Sequence, residues 1–212
     1  MRRSGEIMNK KSIYVYIAAT LAMIVPAPGR FACGVVLVLE LNLLMLVGTL
    51  VRAFINRFNL QTTGNVLILS VMIAVTMFMR QILVTTVPEM AVQLGFVLYL
   101  PTVSSFLIGY MFGEEQQSLG RAVSRNMLHS LSYSVFALVF FLFRDVAGFG
   151  TITLLTGHGV YEKVLFDSGK INALVFFATI PGALVCTSGI LILYVYIINK
   201  FAIVEKAEQE ND

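Results

Sequence analysis

Long, charge-poor apolar runs recur between short polar breaks from Ile13 to Ile198. Crossing the hydrocarbon of a bilayer takes roughly 20 apolar residues in an α-helix. Six candidate spans follow: Ile13–Val25, Phe31–Val51, Val66–Val87, Ala91–Phe112, Met127–Phe143 and Ile171–Ile198. The expected fold class is an all-α integral membrane protein of about six transmembrane helices. Little chain remains for a soluble domain, so the expected organisation is a single membrane domain over 1–212. It divides into a cytoplasmic N-terminus at 1–11, a six-helix region at 12–198 and a cytoplasmic tail at 199–212.

With 58% of residues hydrophobic, 13% charged and a mean hydropathy of +0.84, a soluble core would leave too much apolar surface in water. The net charge of +3 sits at segment ends rather than in a basic stripe, which argues against nucleic-acid binding. Cys33 and Cys186 fall in different apolar segments without a CxxC or a nearby His, so they read as small buried thiols and signal neither disulfides nor metal. Arg2, Arg3, Lys10 and Lys11 before the run Ile13–Val25 have the layout of a signal peptide. Phe31-Ala32-Cys33 has that of a lipoprotein cleavage point, but Arg30 stands where an apolar residue is required and five spans follow. An uncleaved first helix is expected.

Basic residues give the orientation. With the N-terminus in the cytoplasm, inside segments hold Arg2, Arg3, Lys10, Lys11, Arg52, Arg57, Arg121, Arg125, Lys200 and Lys206, against Arg30, Arg144, Lys163 and Lys170 outside. The inside excess predicts that both termini are cytoplasmic, in a bacterial inner membrane. The first span runs only from Ile13 to Val25 before Pro26-Ala27-Pro28-Gly29, and the fourth is interrupted by Pro101 with Ser104, Ser105 and Gly109 behind it. Two broken helices at matching positions predict a 3+3 inverted-topology repeat with broken helices 1 and 4. The stretch from Arg144 to Lys170, with Gly157, His158, Gly159, Glu162, Lys163 and Asp167, is expected to be an outward loop with some helix.

Glu40 lies in the middle of the second span, where a carboxylate must be protonated, paired or wetted. Arg80 in the third span lies at a similar depth, so the two are expected to pair. That pair reads either as a packing device or as part of an ion or proton path, and Asn42 belongs to either. Arg144-Asp145 reads as an interfacial charge pair at a helix end, its basic side chain snorkelling to water. Ser104, Ser105, Gly109 and Pro101 read as kink and close-packing residues. GxSxG, P-loop, HExxH and GxGxxG signatures are absent, and His129 and His158 are the only histidines. No catalytic site is expected in this chain alone.

Gln93-Leu94-Gly95 through Pro101 to Gly109, then Phe143-Arg144-Asp145-Val146-Ala147-Gly148-Phe149-Gly150-Thr151, then Ile180-Pro181-Gly182-Ala183-Leu184 form an ordered series. In that series the chain resembles the membrane subunits of the Rnf/Nqr electron-transport complexes, of RnfA/RnfE and NqrD/NqrE type and closest to RnfE/NqrD. Leu37-Val38-Leu39-Glu40-Leu41-Asn42 through Arg52 also resembles the second helix of that family. The resemblance implies a subunit of a redox-driven ion-translocating complex. It implies as partners other membrane subunits, including a homologous subunit of opposite topology. Family members are understood to hold a [2Fe-2S] cluster between the broken helices, with one cysteine from an LGLCP motif and another from an NC motif. Here Ser104-Ser105 occupies the Asn-Cys position and Val25-Pro26-Ala27-Pro28 the other, and neither supplies a thiolate. Loss of the cluster is therefore expected, with no cofactor on this chain and a structural or ion-conducting role. A small six-helix transporter module, such as the substrate-binding component of an energy-coupling-factor importer, is the alternative, and a lipid-modifying transferase a more distant one.

Overall fold

In the computed structural model, the described residues are 22–58, 63–105, 119–156, 159–166 and 175–190, with 192 and 196. The chain is mostly helical, and three of its helices are long and apolar enough to cross a membrane: α1 (Phe31–Arg57), α2 (Gly64–Thr86) and α4 (Leu119–Phe149). Between α2 and α4 stands the short α3 (Pro88–Leu94), continued by a 3-10 turn, Gly95–Tyr99, and a helical stretch at 100–105. The last described helix is α5 (Ile180–Ile190), entered through a 3-10 turn at Phe176–Ala178.

Helix ends follow local chemistry. Pro88 drives the residue before it out of the helical region, and Val87 accordingly has φ −139° and ends α2. Pro88 then opens α3, where a missing N–H costs nothing. Gly95, with φ +46°, ends α3, and Gly150, with φ +68°, ends α4 by donating its N–H to the Val146 carbonyl at 3.0 Å. At α5, Thr179 is extended, and its hydroxyl accepts the Gly182 N–H at 3.3 Å as an N-cap.

The interruption of the fourth span thus falls at Gly95 and not at Pro101, which lies buried in the helical stretch at 100–105. Proline is tolerated in the first turn of a helix, whereas a positive φ cannot be absorbed in one. In the first span the described part, 22–30, is a helical end that breaks into turns at Ile24-Val25-Pro26, as its prolines predict, and 13–21 lie outside the described residues. The fifth span is longer than expected and carries Arg144-Asp145 inside the helix. The stretch after it is a β-hairpin: β1 (Thr151–Thr156) pairs antiparallel with β2 (Gly159–Val164), Thr151 opposite Val164 and Thr156 opposite Gly159. Alternating Thr-Ile-Thr-Leu favours a strand over the partly helical loop expected. His158, Gly109, Asp167 and Lys170 lie outside the described residues.

Antiparallel α1 and α4 form the central pair. With no hydrophobic drive between helices in lipid, close approach and interhelical hydrogen bonds hold such pairs. Gly34 lets α4 approach so closely that a Cβ there would overlap the Phe141 ring, and Gly48 likewise leaves room for the Met72 methyl of α2. One buried cluster at the hairpin end joins Met23, Ile24, Leu37, Met90 and Phe141, and a smaller one joins Leu44, Ile55, Ile68 and Met72. Arg52, Arg57, Arg121 and Arg125 gather at the end of this pair away from the hairpin.

Gly34→Ala is expected to cost about 1–3 kcal/mol through overpacking. Combined with Phe141→Leu, which opens the same space, the loss should be less than the sum of the two single changes. Retention of the monodisperse peak after heating in detergent measures all three variants, and strict additivity would count against the contact.

Candidate functional site

Two polar assemblies sit inside this apolar scaffold. The first is a knot at the hairpin end, built on Arg144 and Asp145. Both side chains are 0% exposed, which overturns the interfacial, snorkelling pair expected of them. Their adjacency on α4 sends them in different directions, and each satisfies backbone groups of a different broken element. Arg144 Nη1 donates to the Ile24 and Ala27 carbonyls at 2.9 and 3.0 Å, Nη2 to the Ala178 carbonyl at 2.8 Å and Nε to the Phe177 carbonyl at 3.4 Å. One guanidinium therefore holds the first-span break against the turn that precedes α5. The planar fork of an arginine suits this task, and a lysine ammonium does not.

Asp145 does the complementary work. α1 has no capping side chain of its own at Arg30; instead Asp145 Oδ2 accepts the Phe31 N–H at 3.0 Å, and Thr153 Oγ1 accepts the Ala32 N–H at 3.1 Å. Asp145 also accepts the Thr153 N–H and hydroxyl at 2.8 and 2.7 Å and the Thr151 hydroxyl at 3.0 Å. A carboxylate at a helix N-terminus is stabilised by the helix dipole as well as by these bonds. Around the knot the chain approaches itself as closely as glycine permits. A Cβ at Gly148 would lie 2.5 Å from the Ala178 Cβ, one at Gly29 3.0 Å from the Ala178 oxygen, and one at Gly182 would overlap the Phe176 carbonyl. Arg30 closes the rim with a 2.9 Å ion pair to Glu162 of β2 and a position 4.4 Å over the Phe149 ring.

The second assembly runs through the helices. Asn42 Nδ2 donates to Ser134 Oγ at 2.8 Å, and its Oδ1 accepts the Ser130 hydroxyl at 2.8 Å; about two turns further along α1, Asn126 donates to the Thr49 hydroxyl at 3.0 Å. Beside this seam Glu40 is 0% exposed, and neither carboxyl oxygen has a hydrogen-bond partner. The Thr76 hydroxyl faces it and shares a 3.0 Å hydrogen bond with the Thr102 hydroxyl of the helical stretch at 100–105. In the same helical stretch Ser105 donates to the Thr102 carbonyl at 3.0 Å and lies 3.9 Å from Met72 Sδ of α2, and Ser104 is buried beside it in sequence.

The expected Glu40–Arg80 pair is not formed. Arg80 is exposed on α2, whereas Glu40 points into the α1–α2 contact. Depth along two helices was legible, but rotation about them was not. Asn42 is structural in its contacts, bonding only to α4 and to the Val38 carbonyl of its own helix. Of the motif residues, Arg144, Asp145, Gly148 and Gly182 meet in the knot, with Pro181 beside Gly182 at the start of α5; Gly150 instead closes α4 against Phe166. Gly95 and Pro101 lie on the other broken element.

Comparison with family models, with curated proteins and with solved structures finds no match. What the site does is therefore argued from its own geometry. Cys33 is buried, with its thiol 3.6 Å from Gln93 Oε1, and Cys186 is half-buried; both are free thiols. Among the described residues, no three His, Cys, Asp or Glu side chains group closely enough to hold a metal ion. Sequence reasoning missed Thr151 and Thr153, which only the hairpin brings to Asp145. It also missed Asn126, Ser130 and Ser134, whose four-residue spacing marks one helix face.

Arg144→Leu would strand four carbonyls and is expected to cost about 3–5 kcal/mol, with Arg144→Lys recovering only part. Asp145→Asn should cost about 1–3 kcal/mol, because the amide keeps one acceptor oxygen and loses the charge. Chemical unfolding in mixed micelles followed by helical circular dichroism reads both; equal stability of Arg144→Leu and the parent chain would remove the knot from the account.

Proposed function

We propose that this chain is a multi-pass membrane subunit of a redox-driven, ion-translocating electron-transport complex of the Rnf/Nqr type, structural or ion-conducting and without an iron–sulfur cluster of its own. The observation that carries the reading is the convergence of Arg144, Asp145, Gly148 and Gly182 in one knot. These are four of the residues through which the sequence resembles that family. A motif whose members meet in one place constrains a fold more tightly than the same residues scattered along a chain.

On this reading the membrane is a bacterial inner membrane, with the arginine-rich end of α1 and α4 in the cytoplasm and the hairpin outside. The six-span, 3+3 inverted arrangement and the homologous partner of opposite topology belong to the same proposal. Ser104 and Ser105 are buried in the helical stretch whose Thr102 bonds Thr76, and they offer hydroxyl oxygens and not thiolates. Glu40 then provides the only unpartnered carboxyl among the described residues of the spans, and a carboxyl in that position marks an ion path more often than a packing contact.

Mild-detergent purification of the tagged chain from its native membrane, with mass spectrometry of co-eluting proteins and iron and acid-labile sulfide analysis, tests the assignment. Flavoprotein and iron–sulfur partners, without iron on the separated chain, are expected. A pair of ATPases, or no partner, would favour the small transporter module. In vesicles carrying the complex, Glu40→Gln should leave insertion intact and lower redox-linked ion uptake about tenfold or more, as loss of a buried charged ligand does. Parental uptake rates would remove Glu40 from the ion path.

A further inference from the structure

Arg80 is the only ionisable residue of α2, and it is exposed on that helix. It lies six residues, about 9 Å, from the Thr86 end of the helix. Helical side chains lean toward the N-terminus of their helix, so the stem of Arg80 starts toward the bilayer centre and away from the nearer interface. The surface around it is not polar. Val66, Ser70, Ile73, Met77, Arg80 and Val84 are all exposed and follow one another at spacings of four and three, the period of a seam that receives a second helix. Val66 is 69% and Met77 57% exposed, and no described element covers them.

A guanidinium at this depth is costly facing lipid and is ordinarily paired with an acid. No acid among the described residues pairs with it, and Glu89 of α3, past the Thr86 end of the helix, makes no ion pair with Arg80. Among the described residues of α1, α2 and α4, the acids are Glu40 and Asp145, both fully buried. The apolar stretches outside the described residues, 12–21, 106–113 and 191–204, contain no Asp or Glu. A second copy joined about a two-fold axis along this seam would set Arg80 against Arg80.

We propose that this face of α2 is the docking surface for a transmembrane helix of another polypeptide, which presents a carboxylate to Arg80 at matching depth. The inference stands on the position of Arg80 and not on the redox-complex assignment. The seam spacing gives a left-handed, near-parallel or antiparallel crossing, with Ser70 admitting close approach and Arg80 fixing which partner is accepted.

The test is site-specific photo-cross-linking of the full-length chain in its native membrane, with the probe at Met77 and, as a control, at the exposed Leu131 of α4. Met77 is expected to capture another polypeptide, within an apolar segment carrying Asp or Glu no more than a turn from the cross-link; Leu131 is not. Arg80→Leu should lower that yield about tenfold or more, Arg80→Lys should retain most of it, and Arg80→Glu should regain it with a basic residue at the partner's acid. Arg80 is exposed and makes no ion pair among the described residues, so the variants should keep the parental profile in detergent chromatography. Capture only of lipid, of a second copy or of this chain's own segments would overturn the proposal, as would an unchanged yield in Arg80→Leu. A cross-linked partner outside any redox complex would uphold the docking surface and overturn the redox assignment instead.

Discussion

Every unsatisfied peptide group in a bilayer costs several kcal/mol, and this chain breaks its helices anyway. The Arg144–Asp145 knot is what makes that tolerable. Breaking the first span frees the carbonyls of Ile24 and Ala27 and exposes the N–H groups that open α1; the turn before α5 frees those of Phe177 and Ala178. Arginine takes the carbonyls and aspartate the N–H groups. Because the two side chains are neighbours on one helix, α4 locks the start of α1, the hairpin and the entry to α5 into one unit. Neither residue needs the other as a counter-ion: oriented backbone dipoles of both signs surround them. Glycine at 148 and 182 is then a geometric necessity, since the elements the knot joins approach within a Cβ of each other.

Away from the knot, polar groups in the helices are nearly all consumed in holding helices together. Asn42, Ser130, Ser134, Thr49 and Asn126 form a seam that fixes the register of α1 against α4, and Thr76 with Thr102 ties α2 to the broken fourth element. Glu40 is set apart by the absence of such a bond. A buried acid without a partner contributes nothing to packing, so it is either a cost offset elsewhere or a group held ready for a proton or cation.

The places of the three long apolar helices α1, α2 and α4 could be read from the run lengths, because a long charge-poor run has few other ways to fold. Breaks near Pro26 and Pro28 were equally legible, since proline acts locally. Rotation about each helix was not, and it decides the Glu40–Arg80 question: the residues share a depth but not a direction. Nor was the fate of Arg144-Asp145, because a charge pair near the end of an apolar run looks the same whether it meets water or is enclosed by segments more than 110 positions away. The break at Gly95 rather than Pro101 turned on a positive φ, which sequence marks only by the presence of glycine.

The two assemblies make different demands on sequence. The knot works through backbone carbonyls and N–H groups, so it needs Arg, Asp, two threonines and glycines at points of contact, and it is indifferent to what lines the interior below it. The hydrogen bonds of Thr76, Thr102 and Ser105 near Glu40 run among these residues and to Met72, and not to the knot. Residues there can therefore change chemistry, from thiolate to hydroxyl on the proposed reading, without loosening the joint that holds the broken helices. If the proposed assignment holds, this separation of bonds is what would let a scaffold be kept while electron-carrying ligands are replaced.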